Sequence, residues 1–337
     1  MKEALFYTKK DAGSVLCGLC NHRCVIKLGK RGICGVRENG EGTLFSLVYG
    51  KCISQNLDPI EKKPLYHFYP GSECFSIATV GCNFRCLHCQ NYSISQVARE
   101  GKEIMGSYTA PEKIVEATKY YRSQSIAYTY TEPTIFYEYA YDIAVVAHEE
   151  KLTNIFVTNG YITPEALRHL HPVLDAANVD LKSFSDEFYR KICGARLQPV
   201  LDALRLYKEL GIWLEITTLI IPTYNDSDRE LHAIAEFIAS LGPDTPWHIS
   251  AYYPTYKLND QPRTPLQLLQ KAREIGLKAG LRYVYEGNVR DAEGENTYCY
   301  SCGGLAIERY GFTIIRRGLK GGACSHCGTK IDGVGLS

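Results

Sequence analysis

The chain has 337 residues, of which 45% are hydrophobic, and this is enough for one barrel-sized domain with small appendages. Its 38 basic and 37 acidic residues give a net charge of +1 without a long block of one sign, so nucleic-acid and membrane surfaces are not indicated. No apolar run approaches the roughly 18 residues of a membrane span, and the start, MKEALFYTKKDAG, has no signal-peptide core, so we expect a soluble, cytoplasmic protein.

The cysteine content favours metal binding over a disulfide framework, because the cytosol keeps thiols reduced. Of the 14 cysteines, three are isolated and are expected to be small buried residues, namely Cys52, Cys74 and Cys193. The others form three clusters with spacings that let thiolates converge on a metal: Cys17, Cys20, Cys24 and Cys34; Cys82, Cys86 and Cys89; and Cys299, Cys302, Cys324 and Cys327.

The first cluster lies in an N-terminal cysteine-rich segment, which we assign to residues 1–70. It has the pattern CxxCxxxC, followed by a fourth cysteine ten residues further on. Four thiolates close a metal site completely, which suits either a structural zinc ion or a coordinatively saturated iron–sulfur cluster. His22, inside the pattern, could replace one of the thiolates.

A central domain, residues 71–290, alternates short apolar runs with amphipathic segments. The amphipathic segments predict helices within 111–124, 134–151, 163–176, 197–211, 226–242 and 264–281. The apolar runs predict strands at 74–80, 125–130, 154–159, 179–184, 213–222 and 247–254. This alternation indicates parallel strands with right-handed crossovers, in a doubly wound sheet or in a complete or partial barrel. In either case, the functional end is the carboxyl end of the strands.

The second cluster lies in the loop after the first predicted strand, in VGCNFRCLHCQN at residues 80–91. A four-iron cluster needs one ligand for each iron, so three thiolates leave one iron with open coordination positions. An open position on a metal is where chemistry occurs. The alternative is a zinc site that is completed by His88 or by a remote His or Asp.

The third cluster lies in a C-terminal segment, residues 291–337, as two CxxCG knuckles separated by 21 residues. This pattern is typical of a zinc-ribbon or rubredoxin-like site. We favour zinc over iron there.

The pattern CxxxCxxC after the first strand of an α/β repeat resembles the radical S-adenosylmethionine superfamily. The resemblance implies that Cys82, Cys86 and Cys89 hold a [4Fe-4S] cluster and that the open iron binds S-adenosylmethionine. It also implies reductive cleavage of this cofactor to methionine and a 5'-deoxyadenosyl radical, which abstracts a hydrogen atom from a substrate. The corresponding fold class is α/β, a partial (β/α)6 TIM-type barrel with small cysteine-rich metal-binding appendages at both ends.

Further residues are assigned by similarity to the pyruvate formate-lyase activating enzymes. The segments VDLKSFSDEFYRKICGA and GIWLEITTLIIPTYND resemble the stretch in which an Asp-x-Lys reaches the cofactor, which implies this role for Asp180 and Lys182. YTYTEPT replaces the family's glycine-rich segment, so we predict that Glu132 accepts the cofactor's ammonium group, with Thr129 and Thr131 beside it. The alternative for Glu132 is a surface carboxylate at the start of a helix.

Three other positions are assigned more weakly. Phe84 fits the aromatic residue that packs over the cluster or the adenine, and Asn159, with Gly160, could cradle the ribose or a carboxylate. Where the activating enzymes have a histidine near the end of strand six, ISAYYP places Tyr253, which could face the ribose. His248 is a substitute for that histidine, although a core position is the simpler interpretation of it.

Taken together, the motifs resemble the radical S-adenosylmethionine family of the AmmeMemoRadiSam system over nearly the whole chain. The resemblance implies Memo-family and AMMECR-family proteins as partners, with a reductant such as ferredoxin or flavodoxin, and neither a membrane nor a nucleic-acid partner is expected. The hydrogen atom could come from a partner protein, from a small molecule or from tRNA. A hypothesis of another class is a non-catalytic iron–sulfur or zinc module that binds RNA or protein; it predicts a basic stripe, which the pI of about 7.5 does not indicate.

Overall fold

A computed structural model of the chain describes residues 1–100, 103–289 and 293–337. Its centre is an eight-stranded sheet in which the strands lie side by side in chain order. The first strand pairs antiparallel with the second, and every following pair is parallel. The strands are β1 (Ser54–Pro59), β2 (Glu73–Ala78), β3 (Ser125–Tyr128), β4 (Thr153–Thr158), β5 (Ala176–Asp180), β6 (Trp213–Ile220), β7 (Trp247–Ala251) and β8 (Val284–Gly287).

Six helices connect the parallel strands, one in each crossover. Their buried residues recur on one side, so each helix covers the sheet with an apolar face and leaves a polar face outside. They are α1 (Pro111–Tyr120), α2 (Tyr137–Glu149), α3 (Pro164–Leu170), α4 (Gln198–Glu209), α5 (Asp228–Leu241) and α6 (Leu266–Lys278). Shorter helical turns are Asp11–Gly13, Ile60–Lys62, Tyr92–Ser95, Val97–Glu100, Pro133–Phe136, His171–Val173, Asp186–Phe188 and Tyr189–Cys193.

The predicted α/β fold class is confirmed, with two strands more than the sequence indicated. β1 is polar and largely exposed, and β8 has only four residues, so neither has the apolar run of a core strand. In the described part of the chain, β1 and β8 form opposite edges and are not paired with each other. The sheet is therefore open, as a partial barrel requires. The predicted fourth strand extended to residue 184, but β5 ends at Asp180.

Small antiparallel sheets form both ends of the chain. The N-terminal segment has the strands Lys2–Glu3, Arg37–Gly40 and Thr43–Ser46 in one sheet, Tyr7–Lys9, Val15–Cys17 and Val25–Ile26 in a second, and Lys51–Cys52 paired with Ser107–Tyr108. The C-terminal segment has Thr297–Tyr298, Leu305–Tyr310 and Thr313–Arg317 in one sheet and Leu319–Lys320 paired with Ala323–Cys324.

The structure bears on the segment limits only in part. β1 belongs by sequence to residues 1–70 but is hydrogen-bonded along its whole length to β2 of the central sheet. The predicted limit between residues 290 and 291 lies outside the described residues. No helix within the described ranges is long and apolar enough to cross a membrane.

Candidate functional site

Cys82 lies four residues after the end of β2. The loop that carries Cys82, Cys86 and Cys89 is therefore at the carboxyl end of the sheet. Two neighbouring segments hold its backbone. The amides of Arg85 and Leu87 donate to the carbonyls of Cys193 and Ile192 at 2.7 and 3.0 Å. The carbonyl of Leu87 accepts from the amides of residues 257 and 258, in the segment after β7, at 3.0 and 2.9 Å. The loop is thus fixed from both sides before any metal binds.

Polar groups surround two of these sulfur atoms. Cys82 Sγ accepts from the backbone N–H of Phe84 at 3.3 Å and faces Asn159 Nδ2 at 3.9 Å. Cys89 Sγ lies 3.2 Å from Ser95 Oγ. Donors that point at a sulfur atom stabilise its thiolate form, which is the form that binds metal.

Cys86 has different surroundings, because a fourth cysteine lies beside it. A hydrogen bond with Cys193 and burial raise the pKa of Cys86 well above its usual value. Lys182 lies near both thiols, and its Nζ donates to Asp180 Oδ2 at 2.7 Å. Burial alone would lower the pKa of Lys182, but the Asp180 carboxylate and the two thiols raise it well above the usual range. Lys182 is therefore a permanent cation beside the cysteine loop.

The backbone of Lys182 is held as firmly as its side chain. Its amide donates to the hydroxyl of Tyr189 at 3.0 Å, and its carbonyl accepts from Asn225 Nδ2 at 2.7 Å. Asn225 is buried and also binds the backbone of Leu219 and Ile221 at the end of β6. The Asp-x-Lys motif thus begins with the last residue of β5, at the end of the strand as predicted, and Lys182 lies in a loop that neighbouring strands position.

Glu132 is buried, and both of its carboxylate oxygens accept hydrogen bonds from the protein. Oε1 accepts from the amide and hydroxyl of Thr134 at 3.0 and 2.6 Å and from Thr158 Oγ1 at 2.7 Å. Oε2 accepts from the amide of Asn159 at 2.8 Å. Burial raises the pKa of Glu132, while these donors counteract the rise. Glu132 caps a helical turn, as the alternative interpretation described, but it is buried and not at the surface as that interpretation required. Its contact with the cofactor's ammonium group stays a prediction.

Two threonines that precede Glu132 lie close to the carboxyl edge of the sheet. Thr129 is buried after β3, and its amide donates to the carbonyl of Ile77 at 3.0 Å. Thr131 Oγ1 donates to the carbonyl of Thr79, just before the cysteine loop, at 2.9 Å. Thr131 is thus bonded to the residues just before the loop and Thr129 to β2, while their predicted place beside the cofactor's ammonium group stays a prediction.

Phe84 lies within the cysteine loop, and Asn159 lies against that loop. The Phe84 ring is buried and packs edge-on against Tyr161, with 5.1 Å between ring centroids. Asn159 Nδ2 donates to Asn83 Oδ1 at 2.7 Å, and its own Oδ1 accepts from the amide of Tyr161. These contacts place Asn159 between the end of β4 and Cys82.

Tyr253 lies two residues beyond β7, and its ring is 37% exposed. Its hydroxyl donates to the carbonyl of Asn288 at 3.1 Å, and the guanidinium of Arg263 lies 4.4 Å from its ring centroid. His248 is the second residue of β7, where it is buried and bonds Glu215 Oε2 at 2.7 Å. It therefore belongs to the core at the other end of the strand, as the simpler interpretation stated.

The three cysteine clusters differ in the separation of their sulfur atoms. A tetrahedral zinc ion with Zn–S bonds of about 2.3 Å requires sulfurs about 3.8 Å apart. Cys299 and Cys327 are 3.6 Å apart, Cys302 and Cys324 are 3.8 Å apart, and all four sulfurs lie within 4.8 Å of one another. Among the residues described, no other group of three or more potential ligands meets that limit. The C-terminal quartet therefore fits one tetrahedral ion.

The sequence did not single out three residues that the structure places at this site. Asn83 bridges Cys82 and Asn159, Cys193 lies against Cys86, and Asn225 holds Lys182. Cys193 lies in the segment that follows the Asp-x-Lys motif, but its spacing did not relate it to Cys86. Asn83 and Asn225 carried no signal in composition or spacing.

The chain is similar to several known proteins. Residues 76–238 match the model of the Radical SAM superfamily. An uncharacterised protein of Methanocaldococcus jannaschii is 50% identical over 335 residues, which are 98% of this chain and 99% of that protein. A putative glycyl-radical enzyme activating enzyme of the same organism is 26% identical over 219 residues, 61% of this chain and 78% of that protein. Among solved structures, a radical SAM methyltransferase from Sphaerobacter thermophilus aligns with 71% of each chain, at 15% identity and a TM-score of 0.50.

Proposed function

The chain belongs to the radical S-adenosylmethionine superfamily, and on that premise we propose that it cleaves S-adenosylmethionine reductively at a [4Fe-4S] cluster held by Cys82, Cys86 and Cys89. The observation that carries the proposal is the three-thiol loop at the carboxyl end of β2, which is flanked by a fixed cation. When bound, the cluster supplies the electron that splits the cofactor into methionine and a 5'-deoxyadenosyl radical, which takes a hydrogen atom from the substrate.

The residues around the loop have separate roles in this proposal. Lys182 offers a cation to the cofactor's carboxylate, and Asp180 orients that cation through the 2.7 Å ion pair. Asn159 and Phe84 form the wall beside Cys82. Because these side chains are already fixed, they lose little conformational entropy when the cofactor binds.

We also propose roles for Glu132 and Tyr253. Glu132 accepts the cofactor's ammonium group, with Thr129 beside it, or acts through Asn159, whose amide it already binds. Its four hydrogen bonds within the protein support the second role. Tyr253, exposed after β7, faces the ribose.

A polypeptide is the target that we propose for hydrogen abstraction. The support is the similarity to a putative glycyl-radical enzyme activating enzyme. Memo-family and AMMECR-family proteins are the candidate partners, and a reduced ferredoxin or flavodoxin is the candidate electron donor. We assign zinc to the C-terminal quartet and the cytoplasm as the site of action.

Anaerobic reconstitution with iron and sulfide tests this function. With a reductant and S-adenosylmethionine, the wild-type protein is expected to release 5'-deoxyadenosine and methionine. The variant with Cys82, Cys86 and Cys89 all changed to Ala is expected to release neither, because no thiolate holds the cluster. Cys52→Ala is the matched control, since Cys52 is buried against Tyr139 and outside the three clusters. Cleavage that persists in the triple variant would refute the proposed function.

The choice of target has its own measurement. Addition of the candidate partner proteins is expected to increase 5'-deoxyadenosine release and to leave a radical or a mass change on one of them. Equal release with and without both proteins, and no modified polypeptide, would contradict the polypeptide target while leaving the cleavage reaction intact.

A further inference from the structure

The N-terminal cysteines come together although they are spread over 18 positions of the chain. The amide of Cys17 donates to the carbonyl of Cys24 at 2.9 Å, and Cys20 is bridged to Ile162 of the central domain. Together with His22 and the buried cation Arg37, the cysteines line one small cavity whose other walls are apolar: Cys17, Cys20, Cys24, Cys34, Leu19, Ile26, Gly32, Ile33 and Ile135. A converging set of thiols in apolar surroundings is a metal site rather than a group of packing residues.

The geometry of this quartet argues against zinc. The C-terminal quartet has the close contacts of a tetrahedral zinc site, but among the described residues no three of the N-terminal thiols lie within 4.8 Å of one another. Four thiolates that each bind a different corner of an iron–sulfur cube must stand further apart than four that bind one ion. Among the described residues, the N-terminal quartet therefore does not share the close sulfur contacts of the C-terminal one.

The N-terminal quartet also lies directly against the central cysteine loop. His22 Nε2, two residues from both Cys20 and Cys24, is 2.8 Å from the carbonyl oxygen of Asn83, the neighbour of Cys82. A second close approach involves Gly81, the residue before Cys82. A Cβ atom at Gly81 would approach the carbonyl oxygen of Cys34 to 3.2 Å. The two cysteine-bearing loops are therefore joined by one hydrogen bond, and Gly81 leaves room for the backbone of Cys34 to approach the central loop closely.

From this arrangement we propose that Cys17, Cys20, Cys24 and Cys34 hold a second, saturated [4Fe-4S] cluster that relays electrons to the central site. A low-potential one-electron carrier reduces this cluster from the 2+ to the 1+ state. The electron then moves to the central cluster, and the N-terminal cluster returns to 2+. No bond or proton changes place in the relay. The inference rests on the proposed function for the electron's destination, but the second cluster itself does not.

The surface over the N-terminal site fits an acidic electron carrier. Between Cys24 and Cys34 the chain exposes Val25 and Leu28, at 65% and 52%, and the cations Lys27 and Lys30 beside them. Exposed apolar side chains can bind a small protein, and lysines beside them attract a partner that has an acidic face. Such a carrier would dock next to the ligands that receive the electron.

Metal content tests for the second cluster without reference to activity. The reconstituted wild-type protein is expected to contain about eight iron atoms, as two four-iron clusters, and one zinc ion per chain. The variant with Cys82, Cys86 and Cys89 changed to Ala should keep about four irons and, after reduction, give the electron paramagnetic resonance signal of a [4Fe-4S]1+ cluster. About four irons and two zinc ions in the wild type, or no iron in the triple variant, would overturn the proposal. Loss of 5'-deoxyadenosine release alone would count only against the proposed function.

The relay is tested by the rate at which the central cluster is reduced. In the Cys20→Ala/Cys24→Ala variant, reduction by flavodoxin is expected to slow at least tenfold, while reduction by dithionite, which reaches the central site directly, stays unchanged. Lys27→Glu/Lys30→Glu should slow the flavodoxin reaction by a similar factor at low salt and leave the metal content intact. The matched control reverses two exposed lysines on α6, Lys271→Glu/Lys278→Glu. Equal flavodoxin rates in wild type and both variants would refute the relay.

Discussion

Lys182 is held at this site by one carboxylate and two neighbouring thiols. Its side chain is 16% exposed, and it lies between the Asp180 carboxylate and the thiols of Cys86 and Cys193. A cation in that position lowers the cost of converting the thiols to thiolates. It can also bind an incoming carboxylate without losing Asp180, because an ammonium group has three donors.

Replacing Lys182 with Ala is expected to weaken binding of S-adenosylmethionine without releasing iron. Removing one partner of a buried charge pair costs on the order of 2 to 5 kcal/mol, or tens to thousands of fold in affinity, and the partial solvent access of this pair favours the lower end. The measurement is the S-adenosylmethionine concentration needed for half-maximal cleavage, with iron content determined in parallel. Lys191→Ala, at an exposed ion pair nearby in sequence, is the control. An unchanged concentration requirement would assign Lys182 to the fold or to the second substrate.

Glu132→Ala is expected to lower stability as well as cofactor affinity. The substitution leaves the amide of Asn159 and the hydroxyl of Thr158 without their acceptor in a buried place. Each unsatisfied buried donor costs about 1 to 3 kcal/mol. Denaturant unfolding measures this loss, and cofactor titration measures the affinity. A Glu132→Ala protein with the parent's stability and weaker cofactor binding would favour direct contact with the ammonium group over the positioning role.

At the scale of elements, the sequence predicted those strands that are buried on both faces. β2 to β7 are apolar runs between amphipathic helices, and periodicity alone finds such runs. β1 could not be found in this way, because an edge strand paired on one side carries polar, exposed residues. β5 ends earlier than predicted because the loop after Asp180 turns to hold Lys182 through Tyr189 and Asn225.

The candidate site likewise contains residues that the sequence predicted and residues that it did not. Cys82, Cys86 and Cys89 were predicted because their spacing within one loop is itself a signal. Cys193 was predicted to be only a small buried residue, and it is buried. Its contact with Cys86 depends on pairing between two loops that are about a hundred residues apart, and no local pattern records that pairing.

The C-terminal knuckles are elements that we expect to keep their metal independently of the central domain. All four ligands come from residues 299–327, and the core beneath them is small, so the metal contributes directly to folding of this segment. Metal analysis of the variant without Cys82, Cys86 and Cys89 should still find one zinc ion per chain. In the reciprocal variant, Cys299→Ala/Cys324→Ala, zinc should be lost while the iron content stays at the wild-type level. Loss of zinc from the first variant would mean that the cysteines are partitioned differently.

At the scale of the whole molecule, buried charges fasten both appendages to the central domain. On the N-terminal side, Arg37 forms a two-pronged ion pair with Glu138 of α2, and both side chains are 2% exposed. On the C-terminal side, the fully buried Arg309 faces the carboxylate of Glu61, with 3.7 Å between Nε and Oε1, and its guanidinium lies 5.9 Å from the ring centroid of Tyr285 in β8. Breaking such a pair leaves a buried charge unmatched, so each appendage has one orientation on the sheet.

His67 is part of the C-terminal junction and must stay neutral there. Its Nδ1 faces the carbonyl oxygen of Asp332 at 2.6 Å and therefore carries the proton, while Nε2 accepts from the hydroxyl of Tyr285 at 2.6 Å. Burial lowers the pKa of His67 from 6.5 to about 4, with Glu215 and the Asp332 carbonyl opposing the change and Arg309 and His248 adding to it. Protonation would place a second positive charge close to Arg309.

The protein is therefore expected to lose stability as the pH falls from about 6.5 to about 4. In this interval the unfolded chain binds a proton at residue 67 and the folded chain does not, so the free energy of unfolding falls with pH. A pKa difference of this size corresponds to a loss on the order of 3 kcal/mol when the interval has been crossed. Because other groups titrate too, the measurement is the difference in urea unfolding free energy between wild type and His67→Gln at several pH values. The variant should be less stable than wild type at pH 7, and the gap should shrink toward pH 4. A gap that stays constant over this range would show that His67 does not control the acid stability of the junction.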